Sequence, residues 1–416
     1  MGLPNPHAHY RSGELYCEDV ALAPLAERFG TPVYVYSQAS ILQNFRRLKD
    51  CLAPLSALAC YSVKANSNLS ILKLLGNAGA GFDVVSGGEL MRVMQVQGNA
   101  SNVVYSGVGK TRAEIDAALG AGILMFNVES AGELDLIGQR ARALGRRAPI
   151  AIRVNPEVEA ETHPYISTGQ IIHKFGVPKA EAALLYRSAR QAGLDVCGIA
   201  CHIGSQILDV EPFLKAFDEI KSLAGELRSE GIPLQFLDLG GGFGIQYDDE
   251  KSLDFVRLAR GLEARLHDSP YRLIVEPGRS IVGNAGLLLT RVLYIKGGRG
   301  KSFIVVDSGM NDLLRPALYG SFHEILPLRQ GRNGRVRADV VGPLCETGDF
   351  LARDREMPQA REGDLLAVLT VGAYGYALAS NYNSRPRPPE VLIHGNAVKL
   401  VRPRETVEEL IRPEEL

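Results

Sequence analysis

Lys64 stands near the end of the run Leu58-Ala-Cys-Tyr-Ser-Val-Lys-Ala-Asn66. A short apolar run of this kind reads as a buried strand, and a lysine at its tip serves no packing purpose. An amine in a partly dry site gives up its proton more readily and becomes a nucleophile toward carbonyls, which makes Lys64 a candidate Schiff-base lysine. Asp238-Leu-Gly-Gly-Gly-Phe-Gly244 follows another apolar run. Its adjacent Gly240, Gly241 and Gly242 leave backbone N–H groups bare for a phosphate, although a tight turn would use the same residues. The spacing is neither G-x-G-x-x-G nor a Walker loop. Glu276-Pro-Gly-Arg279 puts a carboxylate at a strand end. It suits either a protonated ring nitrogen or a salt bridge with Arg279. His202, in Cys201-His-Ile-Gly-Ser205, has the shape to stack on a flat cofactor or to serve as a core histidine. Cys197 and Cys201 do not complete a metal set around it, so no metal is expected.

Further along, Cys345-Glu346 sits between Val340-Val-Gly-Pro and Thr347-Gly-Asp349. A thiol beside a carboxylate in a glycine-flanked loop can transfer protons, or the cysteine can be incidental. Arg315 and Tyr319, four apart, can grip a carboxylate or cap a surface turn. Gly372-Ala-Tyr-Gly-Tyr376 offers aromatic hydroxyls in a glycine-rich segment. Ser86 with Glu89 reads as a helix capping box and needs no catalytic role.

These residues need elements to hold them. Runs rich in Val, Ile and Leu recur at 58–62, 82–85, 103–106, 123–128, 149–154, 197–203, 235–239 and 272–276. Helical patterns lie between most of them. Thr111 with Glu114 and Ser130 with Glu133 read as capping boxes, and Leu69, Leu72 and Leu75 mark a helical face ended by Gly76 or Gly79. Eight strands alternating with helices predict an α/β fold, a (β/α)8 barrel, with a doubly wound sheet as the alternative. A barrel gathers its strand ends on one face, so Lys64, Ser86, Asn155, His202, the glycine loop and Glu276 become one constellation. After residue 284 the runs 286–295, 302–307, 337–342, 365–371, 390–393 and 396–401 predict a mostly β domain. His394-Gly-Asn396 is the turn of a hairpin, and Pro32-Val-Tyr-Val-Tyr36 is a candidate to join that domain. The stretch 155–178 reads as a long functional loop.

The chain of 416 residues is long enough for two domains. Lys and Arg number 46 against 47 Asp and Glu, a balance that argues against nucleic-acid or membrane-surface binding. The 6 cysteines lack framework spacing, so a disulfide scaffold is not expected. With no signal-peptide pattern and no run of transmembrane length, a cytoplasmic setting is the expectation.

Taken together these segments resemble the fold-type III pyridoxal-phosphate decarboxylase family, and within it the branch acting on diaminopimelate. The resemblance runs in order from Tyr61-Ser-Val-Lys-Ala-Asn66 through His173-Lys-Phe-Gly176, Cys201-His-Ile-Gly-Ser-Gln206 and the glycine loop. It continues through Glu276-Pro-Gly-Arg279, Cys345-Glu-Thr-Gly-Asp349 and Tyr374-Gly-Tyr376, and so covers nearly the whole chain. His173 departs from the small or acidic residue expected there. The resemblance implies an alanine-racemase-like TIM barrel over 36–280. It also implies a β barrel or sandwich domain built from 1–35 and 281–416, which supplies substrate-binding and dimer contacts. It implies pyridoxal 5'-phosphate as cofactor and a head-to-tail homodimer with shared active sites. Lys64 would bind the cofactor covalently. Gly240, Gly241, Gly242, Gly278, Arg279, Ser205 and Tyr376 would hold its phosphate, while His202 would stack on its ring and Glu276 would pair with its nitrogen. Arg279, Arg315, Tyr319, Glu346 and Tyr376 would bind an amino-acid substrate, and Cys345 would donate a proton. Cys345 and Glu346 would come from the partner subunit.

Charge argues for the substrate. Diaminopimelate carries a carboxylate and an ammonium at its distal end, which Arg279 with Arg315 and Glu346 respectively would match. Ornithine and lysine have no distal carboxylate and would leave buried arginines unpaired. The expected activity is therefore conversion of meso-2,6-diaminopimelate to L-lysine and carbon dioxide. The alternatives are an ornithine, arginine or carboxynorspermidine decarboxylase of the same fold, a racemase, a cofactor-free Schiff-base aldolase, an inactive regulatory paralogue, and a vitamin-B6 carrier.

Overall fold

Eight short parallel strands close into a ring, and each is followed in sequence by its neighbour in space. They are Leu58–Ser62, Gly81–Val84, Val103–Tyr105, Met125–Val128, Pro149–Asn155, Asp195–Ala200, Phe236–Asp238 and Arg272–Val275. The eighth strand pairs with the first, Ile274 opposite Leu58 and Val275 opposite Ala59, which an open doubly wound sheet would not do. The computed structural model describes residues 3–158, 174–232, 234–298, 301–331 and 334–414. The chain divides into two compact units: residues 45–245 with 251–278, and residues 1–44 with 246–250 and 279–416. The first contains the ring.

Alternation along the strands fills the barrel. Leu58, Cys60, Val104, Met125, Ala151, Cys197, Ala200, Phe236 and Ile274 pack into one buried cluster. The intervening helices bury one stripe each. Glu211–Ser229 turns Phe213, Phe217, Ile220, Ala224 and Leu227 inward at helical spacing. Thr111 and Glu114 form the full reciprocal capping box. The other two expected boxes are only half made. Ser86 and Ser130 accept from the backbones of Glu89 and Glu133, but the carboxylates reach one residue further back, to the N–H groups of Val85 and Glu129. The helix Leu69–Asn77 buries Ile71, Leu72 and Leu75, while Leu69 is only half-buried.

The second unit is built on a sheet ordered Phe350–Pro358, Arg335–Val341, Lys301–Val306, Gly286–Gly298, Val33–Ser37, Glu390–His394 and Ala397–Arg402. Leu365–Leu369 pairs with Gly286–Gly298, and Ile325–Pro327 pairs with Leu365–Leu369. Val33–Ser37, the N-terminal run, pairs with both Gly286–Gly298 and Glu390–His394. Gly395, at φ +60°, makes the hairpin turn. The strand Phe350–Pro358 escapes an apolar-run reading because Arg353-Asp-Arg-Glu356 interrupts it. It is an edge strand, where charge blunts unwanted pairing. A small meander of Ala8–Arg11, Glu14–Cys17 and Val20–Ala21 precedes it all.

Candidate active site

The first unit collects its polar groups at the C-terminal ends of the barrel strands. Lys64 lies in a single 3-10 turn, Val63–Ala65, directly after the first strand. Its Nζ is 3.2 Å from Asp83 Oδ2 on the second strand. The lysine side chain is 37% exposed and that of Asp83 0%, so a part-exposed amine is paired with a buried carboxyl. Ser62 Oγ also touches Asp83 Oδ2, at 2.9 Å.

Glu276 follows the eighth strand and Asp238 ends the seventh, and both are buried. Asn127, on the fourth strand, bridges them. Its Nδ2 donates to Asp238 Oδ2 at 3.1 Å and to Glu276 Oε1 at 3.2 Å. Burial, then the charges of Asp238 and Asp83, push the Glu276 carboxyl well above its ordinary range. Burial raises Asp238 as well, while its hydrogen bond from Glu276 pulls it back down. Both carboxyls are therefore pushed toward their protonated forms, Glu276 the more strongly. Ser106 Oγ lies 3.4 Å from Glu276 Oε1.

Asp238 also shapes the glycine loop, since its Oδ1 accepts from Gly240 N at 2.9 Å. Gly240 and Gly242 adopt φ of +71° and +91°. A Cβ at Gly241 would stand 2.0 Å from the carbonyl oxygen of Glu276, and one at Gly242 2.1 Å from that of Gly204. Three loops thus meet backbone to backbone, and no side chain fits among them. Gly278 is tight too, with Ser62 and Ala65 at 3.1 Å from a would-be Cβ. His202 Nδ1 accepts from Gly241 N at 3.1 Å. Burial, then the charges of Arg153 and Lys64, push the ring well below the ordinary histidine value, so it is neutral and its other nitrogen carries the hydrogen. Ser205 is half-buried in the adjoining loop.

The second unit holds a different cluster. Arg279 and Arg315 are both buried. Arg279 Nη1 donates to Tyr247 Oη at 2.7 Å, and Arg315 Nη1 donates to the same oxygen at 2.9 Å. The Arg279 guanidinium also lies over the Tyr374 ring, 5.0 Å from its centre. Tyr319 is half-buried on the short helix Arg315–Tyr319. Tyr376 is buried, with the Arg402 guanidinium 4.8 Å from its ring centre. Cys345 and Glu346 are exposed. Their loop is held by Asp349, which accepts from Met310 N and Leu344 N, and by Asn383, which accepts from Cys345 N.

Several participants carry no sequence signal. Asp83, Ser106 and Asn127 are isolated polar residues in or just after apolar strands, visible only once the strands are arranged in a ring. Tyr247 and His323 sit in irregular segments. Glu129 accepts from Arg153, Gly107 N and Gly176 N, tying three strand-end loops together. His173 and most of the loop 155–178 lie outside the described residues. Among the described residues, no group of His, Cys, Asp or Glu is arranged to hold a metal ion.

The profile of the pyridoxal-dependent decarboxylases, pyridoxal binding domain, matches residues 38–283. Diaminopimelate decarboxylase of Neisseria meningitidis serogroup A is 50% identical over 396 residues, covering 95% of this chain and 97% of its own. The chain belongs to the pyridoxal-dependent decarboxylase family. Among solved members, diaminopimelate decarboxylase from M. jannaschii in complex with L-lysine superposes with a TM-score of 0.95 at 37% identity, over 100% of this chain and 99% of that one. The Helicobacter pylori enzyme with L-lysine gives 0.91 at 41% identity, over 94% and 98%. The barrel-end residues fit the family's cofactor. Lys64 offers a part-exposed amine, three loops meet backbone to backbone at the glycines, and a buried carboxyl pair lies at the same strand ends.

Proposed function

We propose that this chain decarboxylates meso-2,6-diaminopimelate to L-lysine and carbon dioxide, the last step of lysine biosynthesis, with pyridoxal 5'-phosphate as cofactor. In this reading Lys64 supplies the amine that ties the cofactor's aldehyde carbon to the chain. The N–H groups of Gly242, Gly278 and Arg279, with Ser205 and Tyr376, would hold its phosphate, while Gly240 and Gly241, expected to offer bare N–H groups, instead donate to Asp238 and His202 and give the loop its shape. His202, neutral and fixed by Gly241, offers a flat face to the ring. Glu276, ionised once a cationic ring lies beside it, would keep the ring nitrogen protonated, because a buried carboxylate stabilises the neighbouring cation. The bound cofactor supplies an electron sink for the charge left at Cα when carbon dioxide departs.

The observation that carries the substrate assignment is the pair of buried guanidiniums, Arg279 and Arg315, converging on one phenol oxygen. Buried cations of this kind need an anion, and a distal carboxylate provides one. Tyr319 would add a hydroxyl, Glu346 would take the distal ammonium, and Cys345 would return a proton to Cα. Both residues of that last loop are exposed on a single chain, which suits their donation to a partner subunit in a head-to-tail homodimer. The barrel over 36–280 would carry the cofactor, and the β domain of 1–35 and 281–416 would carry substrate and dimer contacts. Among the described residues no helix is long and apolar enough to cross a membrane. A biosynthetic step of this kind belongs in the cytoplasm.

Product analysis tests the reading. Purified protein with pyridoxal phosphate would be offered meso-diaminopimelate, ornithine, arginine and lysine in parallel. Lysine and carbon dioxide from diaminopimelate alone are expected. Turnover of ornithine or arginine instead would refute the substrate assignment.

A further inference from the structure

Two guanidiniums rarely share a buried site without an anion between them, and here the group between them is a phenol. Tyr247 Oη accepts from Arg279 at 2.7 Å and from Arg315 at 2.9 Å, so both of its lone pairs are used. Rings and guanidiniums add a second layer of order. Arg315 lies 4.7 Å and Arg279 5.8 Å from the centre of the Tyr247 ring. His323 closes the arrangement from the far side. Its Nε2 lies 3.1 Å from Arg315 Nη1, and its Nδ1 lies 2.9 Å from the carbonyl oxygen of Leu369. Only the tautomer with hydrogen on Nδ1 satisfies both contacts, which makes Nε2 a fixed acceptor for the arginine. The His323 and Tyr247 rings meet edge to face at 5.4 Å.

We propose that Tyr247 is a positioning residue that holds Arg279 and Arg315 as a ready-made clamp for a carboxylate, and thereby makes the enzyme selective for ligands that carry one at the distal end. The inference rests on the reading of the two arginines as substrate-binding. Of the five N–H groups on each guanidinium, the phenol takes one from each and His323 takes a second from Arg315, and a carboxylate bridging the pair would draw on others. Without the phenol oxygen the two cations lose this shared acceptor, and their mutual repulsion is less well offset. The electrostatics agree. Burial pushes the phenol up, but the charges of and hydrogen bonds from Arg279 and Arg315 outweigh it and leave Tyr247 below the ordinary tyrosine value. Burial, then Arg315, push His323 down to about 3, so it stays neutral and its acceptor role does not change with pH. Glu250 Oε1 also accepts from the Tyr247 N–H, and Asp248 adjoins Tyr247 in the chain.

The chemistry of the reaction provides a control. Lysine bound as product has its single carboxylate at the distal end, the reverse of the orientation it would need as a substrate, whereas the diamine cadaverine has no carboxylate. Holoenzyme of wild type, Tyr247→Phe and His323→Leu would be compared for kcat and KM on meso-diaminopimelate and for inhibition by lysine and by cadaverine. Loss of an acceptor for two charged donors should raise KM in Tyr247→Phe about ten- to hundredfold, with kcat within about threefold of wild type. The inhibition constant for lysine should rise in step while that for cadaverine stays put. His323→Leu should move the same two quantities in the same direction by a smaller factor, and it carries the test if Tyr247→Phe does not fold. An unchanged KM would overturn the proposal. So would a fall in kcat alone, or a parallel rise for lysine and cadaverine, which marks a general structural role. Wild-type protein inactive on meso-diaminopimelate would instead remove the underlying reading of the arginines.

Discussion

Asp238→Asn isolates the repulsion within the barrel-end carboxyl pair. The substitution is nearly isosteric and keeps an Oδ1 to accept from Gly240 N, so the glycine loop retains its anchor. What it removes is one of two negative charges, together with the Oδ2 acceptor for Asn127, a loss that does not vary with pH. Asn127 Nδ2 touches both carboxyls, at 3.1 and 3.2 Å. That places the two charges within about 6 Å of each other, where an effective dielectric constant of about 20 makes their repulsion about 3 kcal/mol. The sign of the pH effect follows from the raised carboxyls. In the unfolded chain they lose their protons near pH 4, in the folded protein at higher pH, Glu276 well above that value. Between those limits the folded state binds more protons, so this contribution to stability is full below about pH 4 and is lost as pH rises. Cofactor-free wild type should therefore lose stability from this source between about pH 4 and neutrality. Asp238→Asn should lose about 3 kcal/mol less over the same range, since Glu276 then ionises without the Asp238 charge beside it. Urea midpoints measured for both proteins at closely spaced pH values would provide the comparison, because every other titrating group is common to the two. Parallel curves would refute the account, showing that the two carboxyls do not repel each other as they ionise.

Other outcomes follow from the same geometry. Lys64→Ala should lose nearly all turnover and release its cofactor on dialysis, and full activity in that variant would contradict the role given to its amine. Cys345→Ala should keep the cofactor and turn over slowly. If active sites are shared, equal mixtures of Lys64→Ala and Cys345→Ala should reassociate to about a quarter of wild-type activity, since half of the dimers are then mixed and each carries one intact site. A mixture no better than its parents would argue against shared sites. Thr111→Ala, which removes the one reciprocal capping box of the barrel helices described above, should cost about 1 kcal/mol by urea unfolding and leave activity unchanged.

Much of this protein was legible along the chain. Eight apolar runs with helices between them imply a barrel because strands and helices announce themselves by local spacing, and runs such as 58–62 and 272–276 match observed strands to within a residue. Lys64, His202, the glycine loop and Glu276 stood out because each follows such a run, and a ring of parallel strands brings all their ends to one side. The edge strand Phe350–Pro358 was hidden because its charges face solvent, and the helix starts at Ser86 and Ser130 looked like full boxes because a sequence does not say which N–H a carboxylate will reach. Only the tertiary structure joined Asn127 to Asp238 and Glu276, residues 111 and 149 positions away in the chain. Only it put Tyr247 between Arg279 and Arg315. Such pairings are set by which strand lies beside which and by where irregular segments settle. Local propensity carries no record of either, because the forces that decide them act between residues distant along the chain.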